Sequence, residues 1–444
     1  VIATTVAIND RSARNFAEVF YQSLVTQHSI EEAFNLASAN YLMSSGQGAG
    51  IYRGIELPDN TQQVPWGLYV HQDRADVLDW KLPRQSAGSF IVRNAGIRYR
   101  SGVQVNEELV SVIATAIAPY SSKIDELLAS AKRKGRSPRL RDLRAAVIDS
   151  FPTPIGTHLR KLVISEAINT ERLQRIVNVY VVTMRTLAYV LLAQLWDERH
   201  KRPALQIPRA QHQILLDFFK QDGTQAELYN FLQVIRSVGD IFEVNDVAPF
   251  IEEFLELRTE FHKDSAFQQA AAFLEEMRRE LQQPINAEEI ESFCVQAEEQ
   301  LCILFKYIGF AAKYTMATIK TIELLKARHA DPNYRHNLVI LNRLTAAIGV
   351  LDDILITNDF SDNNSVVLLR DEEAVTPSLN LSPFILDENA LAGQHNSKIF
   401  FYRHQDAGNP VFELVDNLKD RLRIDDSLYP EVQAQFKAFQ RTVL

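Results

Sequence analysis

The chain holds two thiols, Cys294 and Cys302, among 444 residues. A cysteine nucleophile needs a lowered thiol pKa and a base within hydrogen-bond reach. Both cysteines instead fall among Ile, Leu and Phe in a helical pattern, about two turns apart, too distant to bridge without distortion. They read as packing residues in reduced form, with a cytoplasmic location as the default.

Three further constellations carry possible chemistry. Lys132, Arg133, Lys134, Arg136, Arg139 and Arg141 form the one strongly basic run, able to neutralise several phosphates. No aromatic residue is interleaved for base stacking, so a solvated loop or protein contact is the plainer role and nucleic acid is disfavoured. Asp331, His336 and the pair Asp352-Asp353 suggest a metal, but no second His follows at three or four residues, and a polar network or turn fits better. Gly46, Gly48 and Gly50 follow a helix and lack a Lys-Ser/Thr, so they read as a loop rather than a phosphate cradle. Tyr180, Met184 and Leu187 share a helical stripe that reads as core packing, not a cofactor slot. Neither metal nor cofactor is expected.

A content of 46% hydrophobic and 23% charged residues is ordinary for globular protein, and the length allows more than one core. The net charge of -9 argues against a surface built throughout for nucleic acid. Val177–Trp196 is the longest apolar stretch, but placing Arg185 at mid-bilayer would cost about 2.5 kcal/mol or more. It reads as a buried core helix, and no membrane association is expected.

The elements follow from patterning. Val1–Ile8 is apolar and β-branched enough for a strand buried on both faces of a parallel sheet. Such a strand needs neighbours on both sides, so an N-terminal half is expected to be missing from this chain through truncation or processing; no secretory signal is read. Asp10 then caps an amphipathic helix from Arg11 to Gln27, and Ser29 with Glu32 forms a capping box opening a second. Pro65–Val70 reads as a last strand and Leu78–Pro83 as a tail packing back on the sheet.

The wording VIATTVAINDRSARNFAEVFYQSL, then SIEEAFNLA, PWGLY and LDWKLP, resembles the end of bacterial CHAT domains, relatives of caspases and separases. The resemblance covers residues 1–83. It implies a fragment of a caspase-like α/β sheet, with the catalytic His and Cys in segments before the matching strand and hence no catalytic residue in this chain. It also implies that Asp10 belongs to the pocket for a basic P1 side chain, a role compatible with capping the helix.

Residues 84–105 read as a polar linker. A large all-α domain is expected over 106–358, divided by prolines into roughly eight to ten helices of ordinary length, and a small antiparallel β-subdomain with a helical tail over 359–444. The fold class is therefore mixed and dominated by helix. The functional expectation is a signalling protein: the C-terminal part of a CHAT-type cysteine peptidase, inactive as this chain alone, with a helical module that regulates it or senses a protein partner. The alternatives are a non-enzymatic scaffold with a degenerate CHAT domain, and nucleic-acid sensing through residues 132–141.

Overall fold

The computed structural model describes residues 2–4, 8, 10–25, 28–44, 65–71, 77–80, 91–93, 96–99, 105–341, 353–357, 361–370, 377–394 and 396–444. The architecture is mixed and mostly helical, with small antiparallel sheets near the C-terminus. It divides into two units, Val1–Ser89 and Phe90–Leu444.

In the first unit, β1 (Ile2–Thr4) pairs antiparallel with β2 (Trp66–Leu68), Ile2 opposite Leu68. Among the described residues of Val1–Ile8 the expected parallel strand buried on both faces is not found: Ile2 is half-buried, while Ala3 and Thr4 are exposed. Apolar β-branched composition favours a strand but does not supply the layers that would cover it. Helices α1 (Asp10–Val25) and α2 (Ile30–Ser44) bury Phe16, Phe20 and Leu24 against Ala33, Ala37 and Trp66. The rings of Phe16 and Trp66 stack at 4.1 Å. The expected capping box forms, with Ser29 N–H donating to Glu32 Oε2 at 2.8 Å and Glu32 N–H to Ser29 Oγ at 3.2 Å. Instead of lying on a sheet, the tail offers its Trp80 carbonyl to Ile30 N–H at 3.1 Å. The Gly46–Gly50 loop lies outside the described residues.

The second unit opens with helices α3 (Glu107–Ile117), α4 (Ser122–Arg133), α5 (Leu140–Ser150), α6 (Thr153–Ile164) and α7 (Thr170–Lys201). They continue as α8 (Arg209–Lys220), α9 (Gly223–Glu227), α10 (Phe231–Val244), α11 (Phe254–Thr259), α12 (Ala266–Glu280) and α13 (Ile290–Ile308). The prolines act as punctuation: Pro152 and Pro208 occupy the N-cap positions of α6 and α8, where a missing N–H costs nothing. Helix α7 is the axis of the unit, buried almost along its whole length. It is long and apolar enough to cross a membrane, yet 94% of its apolar window is buried inside the protein.

Two expected boundaries move. Strands begin at Thr315, well before residue 359: β3 (Thr315–Leu325), β4 (Asn333–Ile340) and β5 (Asp353–Thr357) join β6 (Ser365–Leu369) and β7 (Ser378–Asn380) in the order β5-β4-β3-β6-β7. The three-residue spacing of Ile319 and Ile322 imitates a helix, but Thr315, Thr318, Ile319, Thr321 and Ile322 are β-branched and suit a pleated surface. A second sheet, β11-β10-β9-β8, is built from β8 (Ile385–Asp387), β9 (Ile399–Asp406), β10 (Asn409–Leu414) and β11 (Arg421–Arg423). Short helix α14 (Glu388–Leu391) follows β8, and α15 (Pro430–Val443) forms the expected helical tail. Both sheets contribute to the core around α7, with Ala317, Ile319, Leu338, Ile340, Val367 and Leu369 forming a second cluster on the other face of the five-stranded sheet, and residues 359–444 are not a separate unit.

The 84–105 segment is also more than a linker. Ile91 is buried in the main core, and Val92 N–H and C=O bond the Gln296 side chain of α13 at 3.0 and 2.9 Å. Arg93 reaches Glu280 at 2.5 Å, and Arg98 pairs with Glu291. The polar look of the segment comes from arginines whose partners are glutamates almost two hundred residues downstream.

Candidate functional site

Asp10 stands at the start of α1, exposed, shortly after β1. The helix already includes it, so its carboxylate sits in the first turn and not at the residue before the helix. A negative charge there meets the positive end of the helix dipole, worth about 0.3–1 kcal/mol, and remains open to a cation from solvent. His28 Nδ1 lies 3.6 Å from Glu32 Oε2, and His71 is exposed.

In the second unit Cys294 is buried and Cys302 half-buried. Cys294 Sγ faces the Asn169 carbonyl at 3.8 Å, and desolvation pushes its pKa up to about 12. Desolvation does the same to Cys302, also to about 12. At neutral pH neither is a thiolate, so neither is equipped as a nucleophile.

Cys302 lines a cavity of about 390 Å³ between α3 and α13, together with Tyr99, Glu108, Glu298 and Lys306. The wall of this cavity is a closed polar cluster. Fully buried Arg172 donates from Nε to Tyr99 Oη at 3.1 Å, from Nη1 to the Ser165 carbonyl at 2.9 Å and from Nη2 to Asn106 Oδ1 at 2.6 Å, and it pairs with Glu298. Tyr99 in turn donates to Glu298 Oε1 at 2.7 Å. Burial pushes the Glu298 carboxyl and the Tyr99 hydroxyl above their ordinary ranges, against the pull of Arg172. With all three Arg172 nitrogens engaged, the cluster fixes α3, α7 and α13 together.

No family model matches this chain, and no curated protein or solved structure matches it either. The CHAT resemblance therefore rests on the residues of the first unit.

The other sequence candidates are dispersed. Asp331 is exposed near the β3–β4 turn, whereas His336 is fully buried within β4, Asp353 begins β5, and Asp352 lies outside the described residues. Among the described residues no group of three or more His, Cys, Asp or Glu could hold a metal ion. Tyr180, Met184 and Leu187 pack in the core, with Tyr180 Oη donating to Glu275 at 2.9 Å.

The basic run is the exception, because the fold gathers it. Lys132 and Arg133 end α4, and Arg139 stands at the N-cap of α5 without making a side-chain cap. Lys134, Arg136 and Arg139, with Ser130, Ser137 and Asp142, line a hollow of about 300 Å³ between the two helices.

Sequence reasoning did not find the second buried cluster. Arg185 of α7 pairs with Glu413 of β10 and donates to the Tyr402 carbonyl and, at 2.9 Å, to Tyr189 Oη. Glu413 also takes Arg403 at 2.7 Å and Arg421 at 3.1 Å. An arginine inside an apolar helix signals that a carboxylate must exist, but its identity, 228 residues away, is set by the fold.

Proposed function

We propose that this chain is the C-terminal part of a bacterial CHAT-type cysteine peptidase, and that its second unit regulates the peptidase by binding a protein partner. The observation that carries the reading is the small self-contained core of the first unit. A strand, Asp10 opening a helix, a capped second helix and a further strand come from the residues that resemble CHAT domains, and they pack on one another through Phe16, Phe20 and Trp66. The thiols of the second unit support it from the other side, since burial makes both poor nucleophiles and leaves the catalytic pair to segments that the resemblance places before β1.

In this reading Asp10 recognises the substrate and breaks no bond. A carboxylate at the start of a helix, in contact with solvent, can pair with the Arg or Lys side chain preceding the scissile bond. The test uses two proteins: the 444-residue chain, and the natural gene product that includes any codons before Val1. The first is expected to hydrolyse no peptide, and the second to cleave after Arg or Lys. Asp10→Asn in the longer protein is expected to abolish that cleavage while the melting temperature hardly moves. A longer product with no peptidase activity would replace this reading with that of a scaffold, and equal cleavage by Asp10→Asn would remove Asp10 from the pocket.

A further inference from the structure

The run from Lys132 to Asp142 carries six cations and one carboxylate in a protein of net charge -9. The neighbouring cations on the same helices are paired, Lys123 with Asp149 at 3.1 Å and Arg144 with Glu166 at 3.5 Å. None of the six has an ion-pair partner among the described residues, and all six are exposed.

Helix physics accounts for three of them. Lys132 and Arg133 lie in the last turn of α4 and Lys134 is its C-cap, where positive charge complements the helix dipole. Arg139 and Arg141 stand at the N-cap and in the first turn of α5, where positive charge opposes the dipole, and Arg139 contributes no capping acceptor. Asp142 in the same turn offsets only one of the two charges, and cations placed against the local electrostatics mark a position kept for something other than stability. An anion in the hollow would compensate them, meeting Lys134, Arg136, Arg139 and the Ser137 hydroxyl together.

We propose that this hollow binds a compact, multiply phosphorylated anion. The shape selects against the larger alternatives. About 300 Å³ admits a few phosphate groups but not a duplex, and no aromatic side chain lines it to stack on a base. An acidic peptide brings one charge per side chain and leaves most of the forked guanidinium donors unmatched, whereas a polyphosphate concentrates its charge within the hollow. Asp142 on the wall faces the same space and limits the site to ligands whose charge outweighs it. The inference is independent of the peptidase reading, because its test reads binding and needs no proteolysis.

The test is calorimetric titration of the 444-residue chain with inorganic triphosphate, a nucleoside triphosphate and inositol hexakisphosphate, with a single-stranded oligonucleotide as the fourth arm. Saturable, salt-sensitive binding of at least one compact polyphosphate is expected, with the preferred arm identifying its source. Lys134→Gln/Arg136→Gln/Arg139→Gln is expected to weaken it at least tenfold while keeping the wild-type circular dichroism and melting temperature without ligand. Lys132→Gln/Arg133→Gln, on the α4 end, is expected to weaken it far less. Absence of binding by all three polyphosphates, equal binding by the triple variant, or tighter binding of the oligonucleotide than of any compact anion would each overturn the proposal.

Discussion

Arg185 and Arg136 carry the same guanidinium and meet opposite conditions. Arg185 is fully enclosed between α7 and the β9–β10 hairpin, with Glu413, Tyr189 and the Tyr402 carbonyl taking its donors. Arg136 projects from the α4–α5 connection beside other cations and pairs with none of the described carboxylates. Burial of a charge is tolerated only with full pairing, so Arg185 is committed to holding helix and sheet together. Exposure leaves Arg136 solvated at little cost and free to pair with something that arrives from solution.

That contrast breaks first at Glu413. Removing it by Glu413→Ala leaves Arg185 buried without its carboxylate, deprives Arg421 of its own and leaves Arg403 with Glu227 alone. A loss of about 3–5 kcal/mol is expected in urea denaturation, whereas Arg136→Ala should stay within about 0.5 kcal/mol of wild type. A Glu413→Ala loss below about 1 kcal/mol would show that the pair is dispensable.

The helix–sheet junction should also respond to acid. His158 of α6 is buried, its Nε2 2.8 Å from the Val415 carbonyl, and desolvation lowers its pKa to about 4 against the pull of that carbonyl and of Asp416 and Glu413. The folded state thus holds a neutral imidazole where the unfolded chain protonates near pH 6.5. Its contribution is fully present above that value, declines as pH falls, and is exhausted near pH 4. Between pH 7 and pH 4 the wild type should lose roughly 3 kcal/mol more than His158→Gln, which removes the titration. Parallel stability curves for the two proteins would assign the acid sensitivity to other groups. The exposed basic run should add nothing to this difference.

A smaller effect is expected at the start of the second unit. A chain beginning at Phe90 should melt cooperatively with strong helical circular dichroism. One beginning at Gly102 loses the burial of Ile91 and the Tyr99–Glu298 and Arg98–Glu291 contacts, and should be less stable by roughly 2 kcal/mol. Equal stability would return residues 90–101 to the status of a linker.

The smallest effect concerns Arg139. Arg139→Glu places negative charge at the N-terminus of α5 and should raise stability by about 0.3–1 kcal/mol in low salt. A destabilised variant would mean that Arg139 has a structural partner and that the contrast with Arg185 is one of degree.

Much of the local architecture was legible from residue types. Ser29 and Glu32 announce the capping box, and Pro152 and Pro208 the starts of α6 and α8. The β3–β4 hairpin was not legible as strand, because Ile319 and Ile322 repeat at three residues while the alternation that marks a sheet is blurred where both faces are buried. Of the site residues, Asp10 was placed correctly at a helix start but one position outside its true place in the helix. The basic run was visible as charge, and only the fold revealed it as a hollow with a wall.

By itself the sequence determined many of the helix starts and stops between residues 106 and 308, and that Cys294 among apolar neighbours would be buried, since these depend on interactions within a few residues along the chain. Tertiary structure decided the rest: Ile2–Thr4 form a short, mostly exposed antiparallel strand, Val92 and Tyr99 bond side chains of α13, and β6 to β10 share a core with α7. Each outcome turns on pairing across about sixty to more than two hundred residues, as with Ile2 and Leu68 or Arg185 and Glu413. The free energy of such a pair depends on what surrounds both partners once they are buried, and that environment exists only after the chain has folded.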